Sequence, residues 1–146
     1  MATPYAQSNT ALANGSRSND LAALIARALL VAIFLISGLQ HDWRFTNTAA
    51  YLALNGFPAP YVVAISAIAI EIFAGLMVLT GWNARWAALA LAIYTILQGL
   101  LFHAYWNYSP PARMDVFVIF WKNISIAGGF LMVFALGPGR YSVQRN

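Results

Sequence analysis

The sequence predicts an all-α protein, a four-helix transmembrane bundle with both termini on the cytoplasmic side, and three observations carry that expectation. Of 146 residues, 61% are hydrophobic and 8% charged, against roughly 45–50% apolar and 25% charged in an ordinary soluble domain. Four apolar runs, at residues 21–39, 61–80, 86–102 and 116–136, approach the roughly 20 residues needed to cross about 30 Å of hydrocarbon. The arginines also divide unequally. Arg17, Arg27, Arg85, Arg140 and Arg145 fall with the termini and the short middle link, and only Arg44 and Arg113 fall on the other face, which places the termini inside.

Each run reads as a helix, because an open strand edge in lipid would leave backbone groups without partners. Residues 1–20 are polar, small and aperiodic, and read as a mobile N-terminal tail. The first run, at 21–39, lacks the flanks of a cleaved leader and is expected to be retained. Gly56-Phe57-Pro58-Ala59-Pro60 punctuates the entrance to the second helix, and Gly81-Trp82-Asn83 separates the second from the third. That link is short enough to make the two antiparallel neighbours. Ser109-Pro110-Pro111 breaks the chain before the fourth helix. One membrane domain, 21–142, therefore accounts for the chain, with 143–146 as a C-terminal tail.

Composition also excludes classes of function. With no cysteine there is no disulfide framework, thiolate metal site or in-chain thiol relay. The net charge of +4 is scattered over segment ends and follows from topology, so no nucleic-acid partner is expected. The lipid bilayer is the first partner. Arg27, near the start of its helix, reads as a residue that snorkels to the cytoplasmic interface.

A small polar set remains at depth, where a charged group costs about 2.5–3.5 kcal/mol or more and normally faces the bundle. Glu71 is about ten residues into its helix, roughly 15 Å deep, on a face with Ala64, Ala67, Ile68, Ala74 and Gly75 that lets another helix come close. Lys122 is about six residues into the fourth helix, with Ser125 and Gly129 on its face. Gln98 and Asn123 lie at depth too, and Gln40, His41, His103, Trp106 and Asn107 sit at outer helix ends. Glu71 and Lys122 can form a structural ion pair. Alternatively, they can line an outward-opening pocket with His103, Gln98 and Gln40 for a polar head group, a quinone ring or a proton, and Lys122 can also simply snorkel outward. His41 and His103 permit a shared metal or haem, but no HxxxH spacing or carboxylate cluster supports one, so neither is expected. Tyr94, Thr95, Gln98 and Phe102 share one face of the third helix and read as packing, while Gly99 and His103 share another.

In order and spacing these features resemble the DoxX family of small four-helix membrane proteins. The resemblance rests on the arginine-led first helix ending Ile36-Ser37-Gly38-Leu39, the Gly56, Pro58 and Pro60 turn, Ile70-Glu71 with Gly75 and Gly81, and Phe102-His103 with Trp106. It continues through Lys122-Asn123 with Gly128-Gly129 to the ending Gly137-Pro138-Gly139-Arg140-Tyr141-Ser142. Members often carry lysine just after the first-helix glycine, where this chain has Gln40 followed by His41. The resemblance implies a four-helix bundle of the bacterial inner membrane, and Glu71, His103, Lys122 and Asn123 as the family-typical polar set. It also implies a link to redox complexes, since the family name comes from a subunit of a thiosulfate:quinone oxidoreductase.

Two functions follow as expectations. In the first the chain is a redox subunit: Glu71 relays a proton, His103 hydrogen-bonds a ring oxygen, Lys122 stabilises developing negative charge, and Gln40, His41, Gln98, Trp106 and Asn123 contact the ligand. Quinone is then the cofactor, and electrons come from a partner subunit. In the second the chain is a non-catalytic accessory subunit packed against a larger membrane complex. A small transporter ranks behind both, because no inverted repeat or broken helix is visible in the sequence.

Overall fold

The computed structural model describes residues 4–43 and 45–144, with side chains described at 18–39 and 45–144. Six α-helices follow in order: α1 (Pro4–Trp43), α2 (Phe45–Leu54), α3 (Pro60–Ala69), α4 (Gly75–Thr80), α5 (Ala84–Phe102) and α6 (Ala112–Leu136). A single π-helical turn, Ile70–Ala74, joins α3 to α4. Among the described residues four stretches are long and apolar enough to cross a membrane: Ser18–Leu39, Pro60–Thr80, Ala84–Asn107 and Ala112–Leu136. These are the four runs read from sequence, and no strand occurs among the described residues.

Two elements depart from expectation. The first helix is continuous from Pro4, where the sequence reads as a tail to residue 20. A helix nucleated by an apolar span propagates upstream at little cost, and Ala6, Ala11 and Ala13 favour it. The link between the first two spans holds α2, ten residues long and too short to cross. Ala49 and Leu52 bury against the bundle, and Asn55 ends the helix by donating from Nδ2 to the Tyr51 carbonyl at 2.8 Å.

The bundle turns its small side chains inward. Helix α5 is central, burying Ala84, Ala87, Ala88, Leu91, Ala92, Thr95 and Gly99. From α1, Arg27, Val31, Phe34 and Gly38 fall one or two turns apart on the buried face, while Leu29 and Ile33 point out at 72% and 55% exposure. Such large apolar groups belong to the lipid-facing surface, and close approach of small residues supplies the packing that hydrocarbon cannot. Phe34 meets Phe130 edge-on at 5.2 Å, joining α1 to α6 at the core.

The short link behaves as read: α4 and α5 are packed neighbours. Gly81 closes α4 with φ 81°, a left-handed conformation that glycine adopts without strain. A side chain there would also collide with Ser142.

Arg27 does not snorkel. It is 2% exposed, and its guanidinium donates from Nη1 to the carbonyls of Val78 (3.2 Å) and Leu79 (3.3 Å) and from Nη2 to that of Tyr141. A cation at a helix C-terminus answers carbonyls with no partner inside the helix and the negative end of the dipole. The same residue thus caps α4 and fastens the C-terminal segment to it. Two further bonds assist, from Val143 N–H to the Thr80 carbonyl at 3.0 Å and from Asn83 N–H to Gln144 Oε1 at 2.9 Å. The start of the first span and the C-terminal segment therefore share one end of the bundle, here the terminal end. Helix α2 lies at the other.

Candidate functional site

The π turn sets the site. One extra residue per turn widens the helix and breaks the register of its hydrogen bonds, a distortion frequent at functional positions. It lies where α1 comes close, since a side chain on Gly38 would lie 2.8 Å from Ile72 Cγ1 and 3.4 Å from Glu71 Cβ. Glycine at 38 is what lets α1 seat against the turn. Glu71, on the turn, is 1% exposed, so the expectation that it faces protein holds.

Tyr94 of α5 reaches this carboxylate, its hydroxyl donating to Glu71 Oε1 at 2.6 Å. The ring stands half-buried, edge-on to Phe34 at 6.5 Å. Its other side forms the floor of a pocket of about 730 Å³ at the α2 end. Helix α3 supplies one wall with Val63, Ser66 and Ala67, and α5 the other with Leu97, Gln98 and Leu101. Asn47, Thr48 and Tyr51 of α2 form the roof, joined by Phe57 and by His103 at the end of α5.

A buried carboxylate thus touches the pocket through a phenol rather than directly. The hydroxyl can pass hydrogen-bond polarity, or a proton, between Glu71 and a ligand oxygen. Asn47, Thr48 and His103 at the roof and Gln98 on the α5 wall offer donors and acceptors, while the walls are otherwise mostly apolar. That is the usual balance of a small-molecule site, an apolar enclosure with a few placed polar groups.

A DoxX family model matches residues 22–104, more than half of the chain. The chain belongs to the DoxX family. It is similar to two inner membrane proteins of Escherichia coli strain K12. YphA is 37% identical over 123 residues, 84% of this chain and 88% of the relative; YqjF is 32% identical over 126 residues, 86% and 92%. No solved structure matches. With four spans, the chain is a DoxX-family integral membrane protein. The DoxX match takes in α2, α3 and α5, hence the roof and both walls of the pocket, and stops short of α6.

The pocket sorts the residues singled out from sequence. Gln98 and His103 line it, and Glu71 stands behind Tyr94. Lys122 does not join them. It is exposed on α6, a helix that packs on α5 and α1 and does not approach the π turn, so neither the Glu71–Lys122 ion pair nor a shared site forms. Asn123, half-buried, faces Gly99 between α6 and α5, and its Nδ2 meets no acceptor among the described residues. Trp106 is 51% exposed and packs on Tyr105 and Phe120, the posture of an interfacial anchor. The side chains of Gln40 and His41 lie outside the described residues, and with His41 any shared histidine site. Among the described residues no group of three metal-ligating side chains assembles.

The packing face read on the third helix is also revised. Only Thr95 fits it, fully buried and donating to the Leu91 carbonyl of its own helix at 2.6 Å; Tyr94, Gln98 and Phe102 line the pocket. Tyr94 was legible in principle. Tyr94, Leu97, Gln98 and Leu101 share a helical face that mixes a phenol and an amide with leucine, unlike the alanine face behind it.

Proposed function

We propose that this DoxX-family protein is an inner-membrane subunit of a quinone-linked redox system, with its termini on the cytoplasmic side and its pocket in the outer half. The observation that carries this reading is the Tyr94–Glu71 hydrogen bond at the floor of an otherwise apolar pocket. A quinone ring needs apolar walls for its faces and hydrogen-bond partners for its two oxygens. Tyr94 serves one oxygen at the floor, and Gln98 on the α5 wall or His103 at the roof serves the other. Reduction of a quinone to its quinol takes two electrons and two protons. The electrons come from a partner subunit, and this chain's part is to bind the ring and move a proton. The relay runs with Glu71 protonated and donating to the Tyr94 oxygen: Tyr94 gives its hydroxyl proton to the deep ring oxygen and takes the Glu71 proton in its place, and the Glu71 carboxylate so formed regains a proton from water. Both E. coli relatives are inner membrane proteins, which supports the location.

The test is extraction of the protein purified in native lipid. Wild type is expected to carry close to one quinone per chain, and Tyr94→Phe and His103→Ala several-fold less. A wild-type sample without quinone sinks the reading.

One observation favours the accessory-subunit reading alongside it. Lys122 lies on the lipid-facing side of α6, within a span, next to exposed Ser125 and Gly128. A partner helix bearing a carboxylate would neutralise it, and co-purification of such a chain from wild type but not from Lys122→Met tests this.

A further inference from the structure

We infer that the pocket is loaded sideways from the bilayer, through a gap between α3 and α5, by an amphiphile that leaves its apolar chain in that gap. This deepens the quinone reading and rests on the same pocket, but it concerns the route and the chain rather than the ring.

The gap follows from the π turn. On the terminal side of the turn α4 lies against α5, and the turn itself does so too; beyond it α3 no longer approaches α5. The second and third spans therefore form a wedge that is closed at the terminal end and open toward α2. Helix α1 packs along α3 and the turn, so that side of the wedge is shut. The rim on the other side is apolar and exposed: Val62 63%, Leu97 49% and Leu101 57%. In a spanning helix such a rim meets hydrocarbon, so the mouth opens to lipid.

The end toward α2 carries aromatic rings instead. Phe57, from the turn after α2, lies parallel on Phe102 at 5.3 Å with 15° between the rings, and Tyr51 of α2 leans on the same ring at 6.0 Å. Asn47 and Thr48 line the pocket at this same end. A polar head would thus sit at the interfacial end while a chain ran between α3 and α5 into the leaflet on the α2 side. A water-dissolved ligand would have to part the aromatic rings, whereas a lipid-dissolved one meets only the apolar rim.

Because the chain has no cysteine, single spin labels test the route. Ser66→Cys in the wedge and Leu97→Cys at its rim are labelled in full-length protein reconstituted in nanodiscs, with circular dichroism confirming the helical fold of each. Relaxation by oxygen, which partitions into lipid, is expected to exceed relaxation by a water-soluble nickel chelate severalfold at both sites. Decylubiquinone is expected to cut oxygen access at Ser66→Cys at least twofold, and the chainless ubiquinone-0 to leave it unchanged at equal concentration. Nickel relaxation equal to or above that of oxygen at Ser66→Cys, or protection by ubiquinone-0 as large as a twofold or greater protection by decylubiquinone, overturns sideways loading. Lipid-type access with no response to either quinone leaves the route standing and removes the quinone as occupant.

Discussion

Tyr94 and Glu71 meet at 2.6 Å across the second and third spans, at the one turn where the second span leaves α-helical geometry. A hydrogen bond to a charged group contributes about 1.5–3 kcal/mol, against about 1 kcal/mol for a neutral pair. The coupling energy between the two residues therefore reports the charge on Glu71. Tyr94→Phe, Glu71→Gln and the double variant, compared by unfolding in detergent, are expected to show coupling near 2 kcal/mol if Glu71 is ionised. A value under about 1 kcal/mol shows it neutral.

Gly38 is the second determinant of the turn. A methyl group there must displace Ile72 Cγ1, 2.8 Å away, and overpacking of this kind typically costs about 1–3 kcal/mol. Gly38→Ala is expected to fall at the low end, since Ile72 can change rotamer. Gly38→Val also crowds the Glu71 Cβ and should lower the melting temperature further, with a matching loss of bound quinone. If Gly38→Val keeps both stability and ligand, the close approach of α1 does not set the site.

Much of this fold was legible because lipid leaves few options. A run of apolar residues about 20 long in a chain with few charges becomes a helix, and Gly81 and the prolines then settle where it ends. Burial of Glu71 was legible from Ala64, Ala67 and Gly75 on its face. Pairings were not. Glu71 and Lys122 were matched by charge and depth, but which way Lys122 points depends on how α6 rotates against α5, and no one-dimensional depth argument contains that angle. Helix α2 escaped because ten residues fall below the length of a span, although Phe45, Ala49 and Leu52 mark its buried side at helical spacing. Arg27 reads as a snorkelling residue because a cation near a helix start usually finds water, whereas the carbonyls it meets belong to residues about fifty and more than a hundred positions away.

Arg27→Ala leaves the carbonyls of Val78, Leu79 and Tyr141 without this donor, and each buried polar group so left costs about 1–3 kcal/mol. Arg27→Lys offers one ammonium where a forked guanidinium now serves two elements, so it is expected to recover only part of the loss. Both should free the C-terminal segment. Trypsin cleavage after Arg140, in the detergent-solubilised protein, is expected to be at least several-fold faster in Arg27→Ala than in wild type. Equal cleavage rates would show that Val143 and Gln144 hold the segment without the arginine.

The two readings of Lys122 diverge under one substitution. On α6 it is exposed and remote from the pocket, so Lys122→Met removes a charge from the lipid-facing surface and touches nothing that holds a ligand. Exposed substitutions away from special features stay within about 0.5 kcal/mol. In hydrocarbon the change from lysine to methionine should be neutral or slightly stabilising. Quinone content and melting temperature of the isolated protein are therefore expected to match or exceed wild type. A fall in either returns Lys122 to the site. If both hold while larger assemblies on native gels disappear, the lysine is a contact for a partner helix.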